Sequence, residues 1–137
     1  MGDLSKHFSA SEFKCKCGKC PDRQIPISLI LALELLHTSL SHQYGQRVVI
    51  SVESGHRCEV YNATIPEASP RSKHIQAIAA DIKCYVVSQD DKARIQIPVE
   101  HCADILKKLF PESLGIGLYE TFLHIDTRQR QARWDFR

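Results

Sequence analysis

Residues 72–87 read SKHIQAIAADIKCYVV, and this stretch decides the fold. From Ala77 onward it is a mostly apolar run, AIAADIKCYVV, with the length and β-branched content of a central strand. Asp81 interrupts the run, and a carboxylate in such surroundings is costly to bury unless it is paired. A metal ion is one partner that offsets the cost, and a buried arginine or a helix N-terminus is the alternative.

A long helix is the clearest element before the central strand. It begins at Pro26, carries apolar residues at helical spacing, and has Gly45 in the position of a C-terminal cap. The other elements predicted on this side are a short capped helical turn at 8–13, a strand at 47–52 (RVVISV), a short helix at 57–65 and a loop at 67–73.

A second helix and two further strands are predicted after the central strand. The helix is amphipathic and runs from Pro98 to Phe110, with one apolar face made of Cys102, Ile105, Leu106 and Leu109. Residues 89–97 form a polar loop or a short extended segment. Two tightly joined strands follow, at 115–119 and 122–126. This order predicts an α+β fold, a small antiparallel sheet with flanking helices.

Length, composition and charge suit one soluble globular domain over residues 1–137, which we expect to be a monomer. The 18 Lys and Arg residues nearly balance the 16 Asp and Glu residues, so charge gives no argument for a nucleic-acid partner. No run of about 18 apolar residues exists, so we expect no membrane span.

Candidate metal ligands lie on separated segments. Catalytic zinc takes three protein ligands and keeps one position open. The chain has no His-Glu-x-x-His pair, but His74 lies seven residues before Asp81, and His124 lies in the alternating strand FLHID. On that strand Glu120, His124 and Asp126 share one face, and such a polar stripe indicates a site. The alternative for each histidine is a hydrogen-bonded core residue.

Several motifs, taken together, resemble one known family. They are Phe8-Ser-Ala-Ser-Glu-Phe13, Ser54-Gly55-His56-Arg57 with Asn62, Ser72-x-His74-(x)6-Asp81, Gly117-Leu-Tyr119, His124-Ile-Asp126 and Ala132-Arg-Trp134. The combination covers nearly the whole chain and resembles the D-alanyl-D-alanine metallopeptidase family. That family includes zinc D,D-carboxypeptidases, phage endolysins that cut the L-alanyl-D-glutamate bond, and the hedgehog-like fold.

The resemblance implies a zinc peptidase that hydrolyses the peptidoglycan stem peptide, with Zn²⁺ held by His74, Asp81 and His124. Arg57 is similar to the family arginine that binds the substrate's carbonyl or carboxylate, so it is implied in substrate binding and catalysis. Ser72 either bonds the substrate or shapes its loop. An inactive zinc-bearing module that binds a peptide and a structural zinc protein are the alternatives. The bond that is cut stays open.

The general base is less clearly marked. Many family members have an acidic residue three positions before the last zinc histidine and others a histidine two positions before it; those positions are Thr121 and Phe122 here. The candidates are Glu120, which a bulge would aim at the metal, and Asp126, for which pairing with an arginine is the alternative; His56 is a further possibility. Ala77 stands where the family usually has Gly, which Ala replaces unless the backbone needs a positive φ.

Six cysteines are present, three of them crowded at Cys15, Cys17 and Cys20. This cluster could bind a structural zinc with Cys58 or His7 as fourth ligand. We favour the other interpretation, a surface loop with reduced or disulfide-paired cysteines. The resemblance implies a bond from the cluster to Cys58 if one forms.

Residues 1–14 have no apolar core and no small-residue cleavage site, so we expect no secretory signal. A peptidase of this family would then be made in the cytoplasm and delivered to the cell wall or periplasm, by a phage lysis or tail route. The C-terminal basic residues are predicted to form a solvated tail, or to attract anionic wall polymers weakly: Arg128, Arg130, Arg133 and Arg137.

Overall fold

The computed structural model describes residues 2–137, whose helices and strands form one mixed sheet with helices packed against it. In chain order the elements are a 3-10 helix (Ala10–Phe13), α1 (Ile27–Tyr44), β1 (Arg47–Ser54), α2 (Glu59–Asn62), β2 (Ala79–Val87), β3 (Arg94–Gln96), α3 (Val99–Leu109), β4 (Gly115–Leu118), β5 (Leu123–Asp126) and β6 (Ala132–Asp135). Within these residues no helix is both long and apolar enough to cross a membrane.

Strand β2 is central, as its apolar sequence predicts. The strand order is β1-β2-β5-β4-β6, and β3 pairs with the end of β2 beyond β5. All pairs are antiparallel except β4 with β6, which run parallel. The predicted α+β fold, with a mostly antiparallel sheet and flanking helices, is therefore confirmed.

The two long helices form the core with the sheet. Helix α1 contributes the fully buried Leu29, Leu33, Leu36 and Leu40. It ends at Gly45, whose φ of 63° and N–H bond to the Ser41 carbonyl make the predicted cap. Helix α3 buries Val99, Cys102, Ala103 and Leu106. Leu109 was predicted on that face but is 39% exposed, because the helix ends there.

Strand β2 begins at Ala79, two residues later than the apolar run predicts. The reason is Ala77, whose φ of 60° lies in the left-handed region and does not continue a strand. The backbone at this position therefore does need a positive φ, which glycine adopts easily and alanine does not. Ala77 is strained as a result. The turn that results places His74 near the start of β2, beside Asp81.

The C-terminal segment is not a solvated tail, and that prediction is wrong. Residues 132–135 form β6 against β4. Arg128 pairs with Asp126, and Arg133 donates to the carbonyls of Phe110, Ser113 and Leu114. Arg137 pairs with Asp135 and Glu100. Of the four arginines, Arg130 alone makes no ion pair or side-chain hydrogen bond to the described residues. The other three arginines hold the last strand in place.

Candidate metal centre and cleft

Strand pairing brings two of the predicted ligands together. Asp81 on β2 lies directly opposite His124 on β5, and the turn before β2 adds His74. One carboxylate oxygen, Asp81 Oδ1, lies 3.0 Å from Nδ1 of His124 and 3.2 Å from Nε2 of His74. All three residues are buried, and one donor atom of each lies within 4.8 Å of the others.

The second nitrogen of each imidazole is held by another acceptor. Nδ1–H of His74 donates to the Gly55 carbonyl at 2.6 Å, and Nε2–H of His124 donates to Asp126 Oδ2 at 2.7 Å. These bonds leave His74 Nε2 and His124 Nδ1 facing Asp81, so these two nitrogens are the atoms available to a metal ion. Two imidazoles and a carboxylate, each oriented by an outer partner, are a donor set that fits zinc.

Both carboxylates near the imidazoles are kept ionised. Burial raises the pKa of Asp81, but hydrogen bonds from His124 and His74 outweigh it and hold the pKa well below its usual range. Burial acts on Asp126 in the same way and is outweighed by hydrogen bonds from Arg128 and His124. Burial lowers the pKa of His124, and its bonds to Asp126 and Asp81 more than reverse this. A cation held by Asp81 and His124 would replace the proton that lies between them.

Asp126 lies behind His124 and is fully buried. The Arg128 guanidinium donates a hydrogen bond to each oxygen of the Asp126 carboxylate, with Nε 2.8 Å from Oδ1 and Nη2 2.7 Å from Oδ2. The Arg128 guanidinium in turn lies 5.1 Å from the Trp134 ring centroid. The sequence did not single out Arg128 for this role.

Two glycines of β4 make room for this support. A Cβ on Gly115 would meet the carboxylate of Asp126, and a Cβ on Gly117 would overlap the Trp134 ring. The sequence signal for the arrangement is the Gly-x-Gly spacing on a buried strand, because glycine inside a strand marks close approach of another group. The support thus depends on β4 and β6 together.

Arg57 is fixed beside the candidate metal ligands. Its guanidinium donates to Ser54 Oγ (3.1 Å), Asn62 Oδ1 (3.4 Å) and Asp81 Oδ2 (3.2 Å). Its backbone N–H donates to the carbonyl of His74, which ties the two segments together. A register shift in β1 between Val52 and Ser54 directs the chain into this turn.

The candidate ligands and Arg57 lie in an open cleft of about 900 Å³. One wall is the loop between α2 and β2, including Glu67, Arg71, Ser72 and Lys73. The opposite wall is aromatic: Tyr119, Phe122, Trp134 and Phe136. Tyr119 stacks on Phe122 at 4.4 Å between ring centroids. Ser72 Oγ accepts the N–H of His74 at 3.2 Å, so it shapes the loop as well as lining the cleft.

The candidate bases Glu120 and His56 do not line the cleft, unlike the candidate metal ligands. Glu120 is exposed in the turn between β4 and β5, does not line the cleft, and has no bulge beside it in the β4–β5 register. His56 is buried and also does not line it. Among the described residues that line the cleft, the carboxylates are Asp81 and Glu67. Sequence reasoning did not single out Glu67.

The two histidines and the aspartate could hold a metal ion at the cleft. A family model described as Peptidase M15 matches residues 6–126. The chain therefore belongs to the Peptidase M15 family, whose members are zinc-dependent metallopeptidases, and the resemblance seen in the motifs is confirmed. Comparison with curated proteins and with solved structures gave no significant match. The family match ends at Asp126, so Arg128 and Trp134 lie outside it.

Proposed function

We propose that this protein is a zinc peptidase that hydrolyses a peptide bond in the peptidoglycan stem peptide, with His74, Asp81 and His124 as metal ligands. The observation that carries the proposal is the convergence of the three donor atoms within 4.8 Å at the cleft. The family match supports the class of reaction.

Zinc at these residues would polarise the scissile carbonyl and lower the pKa of a water molecule. Residues of the chain itself would orient the metal ligands. Asp126 keeps His124 in the tautomer whose Nδ1 faces Asp81, and the Gly55 carbonyl does the same for Nε2 of His74. We therefore propose Asp126 as a positioning residue rather than the general base.

Substrate binding is proposed for Arg57 and the two walls of the cleft. Arg57 is already oriented by Ser54 and Asn62, so little entropy is lost when its guanidinium binds a carbonyl or carboxylate oxygen. Arg71 and Lys73 add positive charge on the same side, which suits a peptide that carries carboxylates. The aromatic wall offers apolar surface for the peptide's methyl groups.

The proton acceptor is proposed to be Glu67 or Glu120. Glu67 lines the cleft, whereas Glu120 follows Tyr119 of the aromatic wall and would have to turn toward it. Changing each to Gln keeps the ligands, so the variant of the true base should retain zinc and lose about 10²-fold or more in turnover. Full turnover in both variants would exclude both residues.

The test is to load the purified protein with zinc and incubate it with isolated stem peptides and with intact peptidoglycan. Mass spectrometry distinguishes release of terminal D-alanine, a carboxypeptidase product, from a new D-glutamate amino terminus, an endopeptidase product. His74→Ala should abolish both zinc binding at the site and cleavage, and exposed His42→Ala should change neither. Unchanged cleavage by His74→Ala would refute the proposal.

A second candidate is an inactive module that binds zinc and a peptide. The observation in its favour is that Thr121 replaces the usual acid, while Glu120 does not line the cleft and Asp126 is enclosed. Zinc binding with saturable binding of stem peptide, but no product at any pH between 5 and 9, would select this candidate.

A further inference from the structure

A second cluster of metal-ligating side chains lies outside the cleft. The sulfur atoms of Cys15, Cys17, Cys20 and Cys58 all lie within 4.8 Å of one another, although Cys58 is separated from the others by a helix and a strand. None of the four is in a disulfide. Cys84 and Cys102 are buried elsewhere in the core.

We propose that these four cysteines hold a structural zinc ion. Zinc with four thiolate ligands is tetrahedral, with zinc–sulfur distances of about 2.3 Å, which places the sulfurs about 3.8 Å apart. The observed separations need only a small contraction to reach that geometry. Four protein ligands leave no open position, so the site is structural and takes no part in hydrolysis.

The backbone around the sulfurs favours thiolates. The N–H groups of Lys19 and Cys20 both donate to Cys17 Sγ at 3.4 Å, in a turn where Gly18 has a φ of 70°. The N–H of Cys58 donates to Cys15 Sγ at 3.3 Å, and the N–H of Tyr61 donates to Cys58 Sγ at 3.4 Å. Such donors stabilise the charged sulfur that zinc requires.

Local charge supports the same assignment. Four thiolates and one zinc ion carry a net charge of about −2, and the loop supplies Lys14, Lys16 and Lys19. The other fourth ligand considered from sequence, His7, is not part of the cluster. Its ring stacks on His37 at 3.7 Å and bonds Glu34, so Cys58 closes the tetrahedron.

The ion would tie the N-terminal loop to the segment that carries Arg57. Cys58 follows Arg57 directly and caps α2, and the backbone N–H of His56 donates to the carbonyl of Phe13 at 2.8 Å. Gly55, whose carbonyl orients His74, packs closely against Phe13. The cluster thus fixes the turn on which both groups depend.

The test measures zinc by mass spectrometry in full-length protein purified under reducing conditions without chelator. We expect about two zinc ions per chain in the wild type, and about one in either His74→Ala or Cys17→Ser. Replacing zinc by cobalt should give a thiolate-to-cobalt charge-transfer band that His74→Ala retains and Cys17→Ser loses. Failure of the cleft site thus removes one metal and leaves this band intact.

Two controls locate the second ion. Cys102→Ala and His7→Ala should leave the zinc content and the cobalt band unchanged. Cys20→His should retain the metal, since imidazole is a zinc ligand, whereas Cys20→Ser should lose it; this pair keeps the test informative if Cys17→Ser does not fold. Absence of a thiolate–cobalt band in the wild type, or a mass showing two disulfides among the four cysteines, would overturn the proposal.

Discussion

Asp126 Oδ2 lies 2.7 Å from Nε2 of His124, two positions earlier on the same strand. The alternation of side chains along β5 puts both on one face, and Arg128 then fixes the carboxylate from behind. The face of β5 that holds the proposed metal ligand His124 therefore also holds Asp126, which orients it.

Asp126→Asn should weaken zinc binding about 10- to 100-fold, because an amide no longer fixes the imidazole as a charged acceptor does. Competition with a chelator of known affinity measures the change. The matched control is Asp135→Asn, since Asp135 is also held by an arginine, Arg137, but is exposed and outside the cleft. Equal zinc affinity in Asp126→Asn and wild type would contradict the positioning role.

Arg57→Lys should lower kcat/KM by about 10²–10³-fold and leave the zinc content unchanged. Lysine keeps the charge but cannot donate to Ser54, Asn62 and Asp81 at once. Arg94→Lys, at an exposed position over the Tyr85 ring, serves as the control. Loss of zinc in Arg57→Lys would show that Arg57 acts through Asp81 instead of on the substrate.

Gly117→Ala should destabilise the protein by about 1–3 kcal/mol in urea unfolding, because the new methyl group overlaps the Trp134 ring. The double variant Gly117→Ala/Trp134→Ala tests the cause. If the clash is responsible, adding Gly117→Ala to Trp134→Ala should cost clearly less than adding it to the wild type. Additive costs would show that the two positions are independent.

Glu34 should make stability depend on pH in acid. Burial raises its pKa, but hydrogen bonds from Ser5 and His7 outweigh this and lower it. A lowered folded-state pKa means that the stabilisation is complete above the unfolded value of about 4.3 and is lost as pH falls through the folded value. The Tm difference between wild type and Glu34→Gln should therefore shrink below about pH 4.

Exposed Asp104→Asn is the control for this titration, with a Tm difference that stays nearly constant over the same range. A Glu34→Gln difference that grows as the pH falls would reverse the sign and refute the assignment.

Much of the fold followed from local pattern. Helix α1 was predicted because its leucines repeat at helical spacing and Gly45 ends it, and β2 because its apolar run is too continuous for an edge strand. The start of β2 was misplaced because the left-handed conformation of Ala77 is imposed by the surrounding turn and core, not by an alanine's own preference.

The parts that sequence did not predict depend on distant contacts. The strand β6 is four residues long, carries two charges, and forms only by pairing in parallel with β4. The His/Asp/His triad was visible from motifs, yet spacing along β5 cannot say whether Asp126 faces the cleft or the back of His124. Only the position of Arg128, set by β6 and Trp134, decides that.

The place of β6 in the chain has a consequence for biosynthesis. During translation His74, Asp81 and His124 are synthesised before β6, the strand that supports the site from behind. A nascent polypeptide that ends at Asp126 would contain all three proposed zinc ligands, yet the edge of β4 would be unpaired and the Asp126 carboxylate would lack its guanidinium partner. A stop codon at position 127 or 128 would therefore yield a chain that has all three candidate ligands but lacks both Arg128 and β6, which support Asp126 and the edge of β4.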